Sequence, residues 1–214
     1  MKKINICKVD VCKNSSHWKN NGINGYCNKH YRQLRFYGKI LSRTMYDKNE
    51  IIDCGDYYEI CLYAGNKEQK EIARTKIDKE NLEKVKNYKW HIRSLKSGIK
   101  YAVTILNQKQ VPLHHLIIGK PKKGCVTDHI NTDGLDNRII NLRFATKSQN
   151  GMNRNVIGCS WHKRIKKWRA RIVLNRKEIF LGNFINKEDA ILARREGEKK
   201  YFGEFAFNTN IINN

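Results

Sequence analysis

The chain has 214 residues and a formal charge of +23, from 43 Lys and Arg against 20 Asp and Glu. No apolar run approaches the ~18 residues a membrane helix needs, and the basic start of the chain lacks the apolar stretch of a signal peptide. Composition thus speaks against a membrane span and a secreted, disulfide-built scaffold. It leaves a soluble, cytoplasmic protein with room for one large domain or two to three small ones.

The excess charge is unevenly spread. Residues 1–45 carry 10 basic residues against 1 acidic, residues 46–154 carry 20 against 13, and residues 155–214 carry 13 against 6. Two strongly basic ends point to a polyanion, and nucleic acid is the commonest one. Anionic lipid is the competing partner, but no amphipathic basic helix stands out to bind it. Seven cysteines in a cytoplasmic chain favour metal binding or free thiols over disulfides.

From the N-terminus, Cys7, Cys12, Cys27 and His30 read as C-x4-C, a loop, and C-x2-H. Three thiolates and one imidazole suit tetrahedral zinc. The stretch between them is too polar to build a core, so a metal would supply the folding free energy of a small unit. His17 is an alternative fourth ligand with a less suitable spacing. "HYRQLRFYGKI" then predicts a short helix ended by Gly38, with Arg32 and Arg35 on one face where they can meet phosphates.

In the middle, "YYEICLYA" and "KYAVTIL" alternate as strands, and "VPLHHLIIG" is a third apolar stretch. In "IDKENLEKVKNYKW", Ile77, Leu82, Val85 and Trp90 predict a helix with Asp78 as its N-cap. "CVTDHI" predicts a strand entering the turn-rich "NTDGLDNR", with "INLRFA" as the returning strand. "ATKSQNGMN" predicts a helix, with Thr146 and Gln149 in capping-box positions. In this order His129 sits on the first strand of a hairpin and Asn150 in the following helix. Asp128 offers a carboxylate and Asn150 a carbonyl oxygen, a plausible magnesium site once waters or phosphate oxygens complete it. A neutral His129 beside such an ion could take a proton from water.

"DHINTDGLDNRIINLRFATKSQN" resembles the HNH endonuclease family, in the branch carried by phage and homing enzymes, and the resemblance extends over about residues 50–154. It implies a ββα-metal (His-Me finger) core that hydrolyses DNA phosphodiesters, leaving 5′-phosphate and 3′-hydroxyl ends. Carried over by position, Asp128 and Asn150 hold the divalent metal and His129 is the general base. Asn141 hydrogen-bonds and orients His129. Asn137 belongs to the loop without an assigned role. "LHHL" offers two candidates for a family histidine with a structural role; His114 is favoured, with His115 where the family often has Arg.

Towards the C-terminus, Trp168, Ala170 and Ile172 share one face of a strand, and Arg169 and Arg171 the other. Ile179 and Leu181 share a face of the next strand, opposite Glu178 and Phe180. A helix runs from an Asn186 N-cap to Gly203, and Ala190, Ala193 and Gly197 let it lie close on a sheet. This segment resembles the apetala-two/ethylene-response-factor DNA-binding domain across about residues 157–207. The resemblance implies a sheet in the DNA major groove, with Arg164, Arg169, Arg171 and Phe180 as contacts and Trp161 as a lesser candidate. Phe180 stands where that family usually has Trp, and Arg171 where it often has Glu, so base preference does not transfer.

The fold class expected is therefore α+β. It comprises a zinc-binding basic module over residues 1–45, a ββα-metal nuclease domain over 50–154, and a three-stranded sheet plus helix over 157–207. The expected activity is metal-dependent endonuclease cleavage of double-stranded DNA, with magnesium and structural zinc as cofactors. The sequence leaves the oligomeric state open, with a monomer favoured, and the setting expected is a bacterial or phage-infected cell. The competing readings are a DNA-binding regulator with an inactive nuclease core and, less favoured for want of an aromatic platform, an RNA-binding protein.

Overall fold

The computed structural model describes residues 7–9, 12, 25–44, 47–65 and 69–207, in a mixed α and β fold. The chain divides into two compact units: Met1–Asp47 with Ala64–Lys70, and Lys48–Tyr63 with Glu71–Asn214.

In the first unit, helix α1 spans Asn28–Tyr37 and stops at Gly38, whose φ of 69° is the left-handed conformation that ends helices. His30 and Gln33 are buried, three residues apart on one side of α1, while Arg32 and Arg35 are exposed. The buried Gln33 Oε1 accepts the Leu41 N–H at 3.2 Å, tying the following segment to the helix.

The second unit opens with an antiparallel sheet of β1 (Ile51–Asp53), β2 (Tyr57–Tyr63) and β3 (Glu71–Asp78). A 3-10 turn at Lys79–Asn81 leads into the short α2 (Leu82–Val85). The helix expected over residues 77–90 is thus confined to one turn. Ile77 belongs instead to β3, where it pairs with Tyr58, and sheet pairing overrides its helical spacing with Leu82. Next come β4 (His91–Ser94), β5 (Lys100–Leu106) and β6 (Lys109–Pro112), a second antiparallel sheet, and α3 (Leu113–Ile117). Ile60, Leu62, Ile77, Val85, Trp90, Ala102, Leu113, Ile117 and Leu142 make the buried core that joins these elements. Asn49 braces it, donating to the Cys61 and Trp90 carbonyls and accepting the Trp90 N–H at 2.7 Å.

The hairpin β7 (Cys125–His129) and β8 (Leu142–Thr146) follows, and then α4 (Lys147–Met152). The expected capping box is present: Thr146 Oγ1 accepts the Gln149 N–H, and Gln149 Oε1 accepts the Thr146 N–H. Then come β9 (Cys159–His162), β10 (Lys167–Leu174), β11 (Lys177–Phe184) and α5 (Lys187–Phe202), with sheet order β11-β10-β9. Ala170, Ile172 and Ala190 are fully buried in this part. A Cβ at Gly197 would come within 2.8 Å of Leu181 and 2.9 Å of Ile172, so α5 approaches the sheet as closely as its small residues allow. Glu198 is buried on α5 and neutralised by Arg194 and Arg195 at 2.9 and 2.8 Å.

Candidate active site and metal centre

Antiparallel pairing of β7 with β8 places Asp128 opposite Arg143 and His129 opposite Leu142. Asp128 and His129 are both buried, at 5% exposure each. The loop between the strands folds onto β3. Lys76 donates its N–H to the Leu135 carbonyl, and its own carbonyl accepts the Asn137 N–H, both at 2.9 Å. Gly134 is pressed against β5, where a Cβ would lie 2.4 Å from the Lys100 carbonyl. Asp136 accepts two guanidinium N–H groups of Arg138, at 2.8 and 2.7 Å, and the Asn131 amide at 3.0 Å.

His129 Nε2 faces Asn137 Oδ1 at 3.4 Å. The Asn137 amide nitrogen donates to Thr75 Oγ1 at 2.8 Å, which leaves its oxygen towards the ring. Nε2 then carries the proton, and Nδ1 holds the lone pair. The ring lies among aromatic neighbours, 5.7 Å from Tyr101 and 5.2 Å from His114 between centroids. Burial lowers the His129 pKa and outweighs the Asn137 contact and the Asp128, Asp133 and Asp136 charges, which raise it. The ring is therefore neutral at neutral pH.

Asn141, expected to orient His129, makes other bonds. Its Oδ1 accepts the Asn131 N–H at 2.9 Å and its Nδ2 donates to the Asp136 carbonyl at 2.7 Å. It braces the loop, and Asn137 is the amide that meets the histidine.

Asp128 Oδ2 accepts from Arg143 Nε at 2.9 Å and Nη2 at 2.8 Å. Asn153, one residue past α4, donates from Nδ2 to Asp128 Oδ1 at 3.0 Å and to the His129 carbonyl at 2.9 Å. Asn150 is half-buried on α4. Asn153 Oδ1 is buried and finds no hydrogen-bond partner among the described residues. A buried carboxylate beside an unpartnered amide oxygen is a hard oxygen donor set, which suits magnesium or a similar cation. Sequence reasoning passed over Arg143 and Asn153. Arg143 could have been found by extending the His129–Leu142 register one pair back, and Asn153 by its place one helical turn after Asn150.

Of the two histidines on α3, His114 is buried and His115 half-buried. Burial, helped by the His129 and His115 rings, pushes the His114 pKa down to about 3, so it is a neutral packing group.

In the first unit, the ligand atoms of Cys7, Cys12, Cys27 and His30 lie within 4.8 Å of one another. Cys7 Sγ and Cys27 Sγ are 3.2 and 3.4 Å from His30 Nδ1, and Cys12 Sγ is 3.8 Å from Cys27 Sγ. Zinc–sulfur bonds of about 2.3 Å in a tetrahedron imply sulfur–sulfur edges of about 3.8 Å, so the cluster fits that ion. Burial pushes the Cys7 thiol up, but N–H groups of Cys27 and Val9 and the His30 ring outweigh it and hold the thiol at about 6. His17 lies outside the described residues.

On the C-terminal sheet, Arg171 and Phe180 pair across strands on the face away from α5, and Arg169 shares that face. The Arg169 guanidinium stands 5.8 Å from the Phe180 ring centre, and Arg171 pairs with Glu178 at 2.7 Å. Arg164 is exposed in the β9–β10 turn. Trp161 instead pairs with Trp168, on the α5 side, with ring centroids 5.4 Å apart.

Residues 115–152 match the family model described as HNH endonuclease. The matched segment covers most of α3, the whole hairpin and α4, and it supports a nuclease-type function in general. The N-terminal unit and the C-terminal sheet lie outside it. No curated protein and no solved structure matches the chain.

Proposed function

We propose that the chain is a metal-dependent endonuclease that hydrolyses phosphodiester bonds of double-stranded DNA at a preferred site, as homing or other mobile phage-type enzymes do. One observation carries this reading. A buried Asp128–His129 pair ends a hairpin strand, with the neutral ring braced at Nε2 by Asn137. By this reading His129 accepts the proton of the attacking water on Nδ1 while Asn137 holds the ring in place. Asp128 and Asn150, with the unpartnered Asn153 Oδ1 beside Asp128, would hold a divalent cation such as magnesium, whose charge would stabilise the phosphate and the leaving oxygen. Asn141 keeps the loop closed. Cys7, Cys12, Cys27 and His30 would hold a structural zinc. Arg169, Arg171 and Phe180, with Arg164 beside them, form the face offered to DNA, and Arg32 and Arg35 add phosphate contacts from α1. The three-stranded sheet with its helix is consistent with an apetala-two-like reader.

The test is cleavage of target plasmid with and without magnesium, for wild type and His129→Ala. Wild type should cut only with the cation. The variant should lose at least about a hundredfold in rate, the range general bases supply, and keep its affinity for the duplex within a few fold. Undiminished cleavage by His129→Ala would overturn the assignment.

A further inference from the structure

We infer that Arg143 is a positioning residue that couples the C-terminal module to Asp128, an inference that rests on the nuclease reading above. Arg143 lies in β8 directly opposite Asp128 and its side chain is 13% exposed. Two of its N–H groups converge on one carboxylate oxygen, Asp128 Oδ2, at 2.9 and 2.8 Å. Its remaining terminal nitrogen donates to the Glu204 carbonyl, and its guanidinium lies 4.4 Å from the centre of the Phe205 ring. Glu204 and Phe205 belong to the 3-10 turn Gly203–Phe205 that follows α5, and Gly203 enters that turn at a φ of 56°.

The guanidinium is thus clamped at both ends. A planar fork matches a carboxylate and a carbonyl at fixed angles in a way an ammonium cannot. Oδ2 accepts two Arg143 N–H groups and lies 3.3 Å from the Asn153 amide nitrogen, while Oδ1 has that nitrogen, at 3.0 Å, as its one donor and keeps a lone pair free. The fork therefore fixes which oxygen Asp128 presents to a cation, and the turn after α5 fixes the fork. The C-terminal module contributes to the nuclease centre besides any role in reading DNA.

The test uses full-length Arg143→Lys, Phe205→Ala, Phe205→Tyr and the Lys/Ala double variant. All keep the local charge, so changes in cation binding report positioning. Binding of Mn2+ to the DNA-free protein is measured by its electron paramagnetic resonance, alongside kcat and KM for target duplex. Phe205→Ala should weaken Mn2+ binding several-fold and lower kcat about tenfold with KM unchanged, and Phe205→Tyr should restore both. The double variant should be no worse than Arg143→Lys alone, since both lesions act through one contact. Should Arg143→Lys fail to fold, the Ala and Tyr variants at 205 still decide. Phe205→Ala with wild-type Mn2+ binding and kcat, or additive losses in the double variant, would overturn the inference while leaving the nuclease reading intact. Wild-type protein that neither binds Mn2+ nor cuts would overturn both.

Discussion

Asn137 Oδ1 stands 3.4 Å from His129 Nε2, and the same amide donates to Thr75 Oγ1, 62 residues away in sequence. The orientation of the proposed base is therefore set from β3, outside its own hairpin. Asn137 is completely buried. Asn137→Ala removes both bonds and a third to the Leu135 carbonyl, and leaves the buried His129 Nε2 without its partner, which costs roughly 1–3 kcal/mol; the Thr75 hydroxyl keeps its own bond to Leu135. Urea unfolding should show that loss, and cleavage should slow through kcat with duplex affinity retained. Wild-type kcat in this variant would show that the contact does not orient the base.

Purified protein should contain about one zinc per chain, as a closed four-ligand site implies. Cys27→Ser should lose the ion, because Cys27 Sγ touches both Cys12 and His30. Elemental analysis checks both statements. Zinc retained in the variant, or absent from wild type, removes the ion from the reading.

Arg169→Ala/Arg171→Ala should weaken binding to the target duplex. Each lost base contact should cost roughly 1–3 kcal/mol. Each lost phosphate contact should instead reduce the salt dependence by about one unit of slope. Salt titrations on target and random duplexes separate the two cases. If both duplexes bind as before, the outer face of the sheet is only solvated surface.

Asp136 makes the loop acid-sensitive. Burial would raise its pKa, but the Arg138 guanidinium and N–H hold it below the ordinary 3.8. A depressed pKa in the folded state contributes stability that is complete above the unfolded value and is lost as pH falls through the folded one. Wild-type stability should therefore decline below about pH 4. Asp136→Asn should start less stable at pH 6 and show a shallower acid limb. Urea midpoints measured from pH 6 to pH 3 provide the check, and parallel limbs for the two proteins would count against the Asp136–Arg138 pair as the cause.

Much of the local structure was legible because its signals are local. Thr146 and Gln149 announced the start of α4, Gly38 ended α1, and the alternation of Trp168, Ala170 and Ile172 with Arg169 and Arg171 gave both faces of β10. Strand β3 was missed because two of its inward positions, Ala73 and Thr75, are short and weakly apolar and only Ile77 is strongly so, while Arg74 faces outward and forms ion pairs with Glu59 and Glu71 across and along the sheet. Without β3, the choice between Asn137 and Asn141 as the partner of His129 had no basis, since it depends on how the loop lies on Thr75 and Lys76. Asn153 was hidden for a similar reason. Its side chain reaches Asp128 only after α4 has folded back over the hairpin.

The two backbone bonds between Lys76 and the loop make residues 135–137 an added edge of the first sheet. The HNH-matched segment begins at residue 115 and so carries the Asp128–His129 pair without the strand on which its loop is built. Grafting that segment alone into a foreign scaffold would transplant the signature and leave behind the floor that orients it. If the proposed function holds, the smallest portable nuclease unit reaches back through β3 to β1.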